Sequence, residues 1–268
     1  MGGDARAGKK ITRGSRDPGI FSLTLRLLVY TLTAVGFSFR GFRAGWGQRC
    51  VIEDLDLDLD PGELLMIVGP GGSGKSTLLA AIEGIVNCAA VEPVDDASPW
   101  WKGELEIGCD FAARMVQHGR FDPVSSRQLF REVGIEHAEQ AWCWPGSPAL
   151  QAELAQVVDL PLAEVPDKLR RVISFLLTAC AKTDLLLFDE PDFRQDGPWL
   201  DHVHAVFAEL RRSQHSMVAV THYLPLARAM ADRVALMIDG RMIETASTQD
   251  FFERPREPRT RQFIQWGA

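Results

Sequence analysis

The sequence predicts an α/β fold: a mostly parallel sheet with helices on both faces and an antiparallel β edge. Three observations predict it. Leu64–Val68, Leu185–Phe188 and Met217–Val220 are short runs that are apolar at every position rather than at alternate ones, the pattern of strands buried on both faces. Each run ends abruptly in residues that carry chemistry: Gly69, Asp189-Glu190 and Thr221-His222. In open α/β sheets, ligands bind at the carboxyl ends of the strands. A different pattern, Leu55, Leu57 and Leu59 alternating with aspartates before Pro61-Gly62, reads as a half-exposed strand closed by a turn.

Taken in order, the chain opens on a basic, Gly-rich stretch. Within Met1–Arg16, Arg6, Lys9, Lys10, Arg13 and Arg16 face only Asp4, and residues 1–19 read as a flexible, solvated tail. Phe21 to Phe39 superficially resembles a signal sequence, but it contains Arg26, and Phe21, Leu23, Leu25, Leu27 and Val29 alternate. That is strand period, and a membrane span needs about 20 mostly apolar residues. The 268 residues are 46% apolar and 24% charged, which excludes a disordered or fibrous chain. The net charge of −7 argues against a general nucleic-acid binder. Cys50, Cys88, Cys109, Cys143 and Cys180 are odd in number and form no Cys-x-x-Cys. Nothing in that spacing suggests a disulfide framework or a zinc site, and a reducing compartment fits.

The strongest motif follows the first buried run. Gly69-Pro70-Gly71-Gly72-Ser73-Gly74-Lys75-Ser76-Thr77 fits G-x-x-x-x-G-K-[ST] between a strand and a helix. Glycines let successive backbone N–H groups turn inward around phosphate oxygens, and the helix directs its positive end at the same place. Lys75 is then the candidate for the β- and γ-phosphates, and the Ser76 hydroxyl for Mg²⁺. Asp189, at the tip of the second buried run, is the candidate to hold the same ion, and Glu190 to orient or deprotonate an attacking water.

In these residues and their order, the chain from about Val35 to Gly240 resembles the nucleotide-binding subunit of ATP-binding cassette (ABC) transporters. The resemblance implies a P-loop NTPase, RecA-like core and an ATPase using ATP and Mg²⁺. Trp46-Gly47 precedes the alternating strand, where the family places an aromatic that stacks on adenine. Gly103–Ile107 reads as another edge strand, and Ala113–Gln117 as a strand ending in the family's glutamine, so Gln117 is expected to touch Mg²⁺ and the water. After Glu190, Pro191-Asp192-Phe193-Arg194-Gln195-Asp196 stands where the family has Pro-Thr-Ser-Ala-Leu-Asp; Asp196 keeps the aspartate that reaches a partner subunit. His222 takes the place of the family's switch histidine at the γ-phosphate, and Ala231–Gly240 reads as a turn, a strand and an Asp-Gly turn.

One motif departs. Counting back from Arg170-Arg171-Val172, the family's Leu-Ser-Gly-Gly-Gln signature falls at about Glu164-Val165-Pro166-Asp167-Lys168. Val165 has no hydroxyl and Pro166 no N–H. Asp167 brings a carboxylate that can cap the helix and repel a phosphate. The expectation is a weak signature face, slow hydrolysis as a homodimer, and one active site if the partner ATPase is different. Residues about 118–170 would form the helical subdomain of a nucleotide-binding domain spanning 20–246. In it Ser125-Ser126 starts a capped helix, and Trp142 and Trp144 serve as interface anchors or as a small core. Residues 247–268 form a C-terminal helical tail, and Thr248–Phe263 resembles the tail of importer ATPases for phosphate and polar amino acids. The resemblance implies a second ATPase subunit, an integral membrane permease and a place on the cytoplasmic face of the cell membrane. The alternative is a soluble ABC-type ATPase acting as a nucleotide-dependent switch.

Overall fold

The computed structural model describes residues 9–11, 36–87, 99–107, 112–115, 124–141, 143–183, 185–194 and 196–266. The α/β expectation holds. A six-stranded sheet runs in the order β10 (Arg241–Ser247), β9 (Arg233–Ile238), β4 (Leu64–Val68), β8 (Ser216–Thr221), β7 (Leu185–Asp189) and β6 (Ala112–Arg114). Its strands are parallel except β10, which returns antiparallel to β9 through Asp239-Gly240.

Residues β4, β7 and β8 lack alternation because both faces of the sheet are covered. Leu64, Met66, Val68, Leu186, Phe188, Met217 and Ala219 enter one core with α4 (Asp167–Ala179), α5 (Gly197–Arg212), α6 (Leu224–Met230) and the helical arm. Their neighbours Leu65, Ile67, Leu185, Leu187, Val218 and Val220 enter a second core with Leu78, Leu79 and Ile82 of α1 (Lys75–Asn87). Successive strand residues point to opposite faces, so one apolar run feeds two cores.

The second core is closed by a four-stranded antiparallel sheet ordered β1 (Lys9–Ile11), β5 (Pro99–Ile107), β2 (Phe37–Trp46) and β3 (Arg49–Leu59). Phe37, Phe39 and Phe42 line its inner face, their rings stacked 4.8 and 4.9 Å apart. Two expectations change here. The strand around Gly103–Ile107 lies between β1 and β2, not at an edge, and Lys9–Ile11 of the basic tail pairs with it. An edge strand presents a row of unpaired N–H and C=O groups, and three tail residues satisfy part of that row.

The arm comprises α2 (Ser126–Glu132), α3 (Pro148–Val157) and two single 3₁₀ turns before α4. Ser125 caps α2 by accepting from the Gln128 N–H. The arm closes on itself where Leu162 N–H donates to Val124 O and Arg127 N–H to Val158 O. Trp144 meets Phe130 edge-on at 6.2 Å, so it serves the core of the arm; Trp142 lies outside the described residues. Beyond β10, Ser247 caps α7 (Thr248–Glu253), and Glu244 accepts the Arg256 and Glu257 N–H groups ahead of α8 (Pro258–Trp266). Among the described residues, Cys50, Cys143 and Cys180 are free thiols, and no helix is long and apolar enough to cross a membrane.

Candidate functional site

The site forms at the carboxyl ends of β4, β7 and β8, which lie side by side. From β4 the chain turns at Gly69, where φ is +152° and an added Cβ would sit 2.0 Å from Met237 O. No side chain fits that approach, so the loop can start only with glycine. Gly71 and Gly72 follow in the open bend; Ser73 is buried and Gly74 leads into α1, with Leu78 N–H donating to Gly74 O. The loop is propped from behind by the β9–β10 turn: Gly240 N–H donates to Ser73 O, while Gly240 O accepts from Glu53 N–H of β3.

Lys75 opens α1 and is buried, its Nζ donating to Gly69 O at 2.8 Å, Pro70 O at 2.8 Å and Ser73 Oγ at 3.2 Å. Burial pulls its ammonium below the ordinary lysine value, against the opposing pull of Glu190 and Asp189. The next residue reaches across to β7: Ser76 Oγ donates to Asp189 Oδ1 at 3.0 Å. Burial pushes the Asp189 carboxyl up; the Ser76 hydrogen bond opposes that and Glu190 adds to it. A hydroxyl and a carboxylate in contact are hard oxygen ligands, the donor set that suits Mg²⁺.

Glu190 has a φ of +50°, in the left-handed region that a non-glycine residue seldom occupies. Its N–H donates to Val220 O, and Phe193 N–H returns to Glu190 O, so a tight turn follows β7 at once. The carboxylate has two partners: Oε1 meets His222 Nε2 at 2.6 Å and Oε2 meets the Arg171 guanidinium at 3.3 Å. The other His222 nitrogen, Nδ1, lies 3.1 Å from Gly69 O. One imidazole thus bridges the acidic strand tip and the first residue of the loop. Below it, Thr221 Oγ1 donates to Asp192 Oδ1 and accepts from Tyr223 N–H, which fixes the backbone that carries His222.

The structure therefore gathers Gly69, Pro70, Ser73, Lys75, Ser76, Asp189, Glu190 and His222 into one connected cluster. Trp46 is placed on the other sheet, at the end of β2 and 41% exposed. Asp196 caps α5 through Trp199 N–H at 2.9 Å and pairs with Arg194. Gln117 lies outside the described residues.

A family model described as ABC transporter matches residues 52–105. The L-cystine transport system ATP-binding protein TcyN of Escherichia coli is 30% identical over 231 residues, covering 81% of this chain and 92% of that protein. The chain belongs to the ABC transporter ATP-binding family. It is an ATP-binding and ATP-hydrolysing subunit of an ABC transporter. The glutamate/glutamine/aspartate/asparagine transport ATP-binding protein BztD of Rhodobacter capsulatus is 28% identical over 239 residues, 82% of this chain and 86% of that one. Among solved structures, an ATP-binding subunit of an ABC transporter shares the fold with a TM-score of 0.62 at 18% identity, over 87% of this chain and 95% of that chain.

At the start of α4, Val165 is buried in the larger core, and Pro166 occupies the cap position just before the first helical residue. The expectation that Asp167 caps the helix is corrected: it is the first helical residue, and α4 has no side-chain cap. A cap needs an extended residue whose side chain can bend back to the free N–H groups; Asp167 already turns with the helix, and its carboxylate pairs with Arg170 one turn on. Sequence reasoning also used Arg171 only as a landmark for counting, whereas it binds Glu190. A signal was available: Arg171 is a charged residue inside a helix whose neighbours Leu169, Val172 and Ile173 are all buried.

Proposed function

We propose that this ABC subunit holds MgATP on the Gly69–Thr77 loop and hydrolyses it with Glu190 as the base that orients the attacking water. Lys75 binds the β- and γ-phosphates. Ser76 and Asp189, with Gln117 as a further ligand, would hold Mg²⁺, which would supply neutralisation of the phosphate charge. His222 contacts the γ-phosphate, Trp46 stacks on adenine, and Asp196 reaches across to a second ATPase subunit. The observation that carries the reading is the 3.0 Å contact from Ser76 to Asp189, made between the loop and the strand tip across 113 residues of sequence.

The subunit dimerises and drives an integral membrane permease from the cytoplasmic face. The names of its relatives, for glutamate, glutamine, aspartate, asparagine and cystine transport, support a polar amino acid as the imported cargo. Because each nucleotide in such a dimer lies between the loop of one chain and the signature of the other, the Val165-Pro166-Asp167 substitution weakens both sites of a homodimer. Pairing with a subunit that carries an intact signature leaves one active site.

The test is Glu190→Gln in the full chain with MgATP. The variant should bind ATP and accumulate it unhydrolysed, with turnover down at least about 100-fold, the scale of a lost general base. Wild-type turnover in that variant would remove Glu190 from this role.

A further inference from the structure

We propose that Arg171 is a positioning residue for Glu190, holding its carboxylate from the helix that carries the signature end. The inference rests on the reading of Glu190 as the base and deepens it. Arg171 lies in the second turn of α4, five residues after Pro166. Its guanidinium does two things at once. One amino group meets Glu190 Oε2 at 3.3 Å, and Cζ lies over the Phe193 ring, 4.4 Å from its centroid.

Both contacts are made by the same short turn, since Phe193 N–H bonds back to Glu190 O. Phe193 stands where the family pattern has a small polar residue, so the platform belongs to this chain's altered stretch. A guanidinium held over a ring by cation–π attraction, with a rigid fork of donors, is positioned more tightly than an ammonium on a flexible stem. With Oε2 held from one side and Oε1 bonded to His222 at 2.6 Å from the other, the carboxylate has one orientation left. Arg171 Nε is buried with no hydrogen-bond partner among the described residues. A charged donor left unpaired costs stability, which a role confined to packing does not account for. The left-handed backbone of Glu190 also needs its surroundings to hold it. A displacement at the signature end of α4 therefore reaches the base of the same chain through one side chain, which ties the two faces the subunit lends to different nucleotides.

Single-turnover hydrolysis and ATP affinity of the full chain test this with Arg171→Met, Arg171→Lys, Phe193→Leu, Glu190→Gln and the double variant Arg171→Met/Glu190→Gln. Arg171→Met should lower the hydrolysis rate about 10- to 100-fold, the effect of misplacing a reacting group, and leave ATP affinity within about twofold. Arg171→Lys and Phe193→Leu should fall between it and the parent, and these two decide the matter if Arg171→Met does not fold. In the Glu190→Gln background the Arg171 change should cost nothing more, because residues that act through one another are not additive. Equal slowing in both backgrounds, or weakened ATP affinity at an unchanged rate, overturns the proposal. Glu190→Gln at parental speed overturns instead the reading on which it rests.

Discussion

Trp199→Phe should lower stability by about 3 kcal/mol and slow hydrolysis as well. Trp199 is 1% exposed in the first turn of α5, and its Nε1 donates to Pro191 O at 2.7 Å. Its ring packs against Phe175 at 5.2 Å, Phe193 at 5.4 Å and His202 at 5.4 Å. Phenylalanine keeps part of the ring contact and loses the donor. The Pro191 carbonyl is then buried without that partner, which costs about 1–3 kcal/mol, and the missing half of the indole leaves a void worth about 1 kcal/mol more. In a chain of this size that lowers Tm by roughly 6 to 10 °C. Pro191 follows Glu190 directly, so the same lost bond loosens the turn that sets the carboxylate, and kcat should fall with ATP affinity retained. Differential scanning calorimetry and steady-state hydrolysis check both effects. Trp266→Phe is the control, since Trp266 is 76% exposed and surface changes stay within about 0.5 kcal/mol. A Tm loss for Trp199→Phe no larger than that of the control would refute the reasoning.

Asp189→Asn should make ATP affinity insensitive to Mg²⁺, read by calorimetric titration with and without the ion; a parental Mg²⁺ response would count against Asp189 as its ligand. Val165→Ser/Pro166→Gly/Asp167→Gly should raise homodimer turnover at least about tenfold, given what single phosphate-facing donors contribute; no gain in a folded variant would locate the defect elsewhere. For His202, burial pulls the imidazole below its ordinary value of 6.5. The unfolded chain then takes up that proton first, so its contribution to stability is full above about pH 6.5 and is lost as pH falls toward the folded value. Denaturant titrations of His202→Phe should accordingly show a shallower loss between pH 6.5 and 5 than the parent, by at most about 1.4 kcal/mol per pH unit.

Much of the candidate site was legible because its parts obey strong local constraints. A strand buried on both faces is apolar throughout, which is how β4, β7 and β8 declared themselves, and Gly69 must be glycine for the reason the structure gives. Long-range pairing was less legible. Nothing in Lys9-Lys10-Ile11 says that these residues will bond to β5, because ladder bonds are made by backbone and leave little trace in the side chains. The start of α4 was misjudged by one residue, enough to turn a cap into a first-turn ion pair. Arg171 went unread because its partner lies 19 residues away, and only the fold brings a helix face over the end of β7.

The central sheet is a bulkhead between two compartments. On β4, Leu64, Met66 and Val68 face the side that carries the arm, while Leu65 and Ile67 face α1 and the Phe37–Phe42 stack. Volume changes on one side have little direct contact with the other, so each compartment can change its packing while the opposite one keeps its shape. A substitution scan along β4 should therefore sort by odd and even residue number.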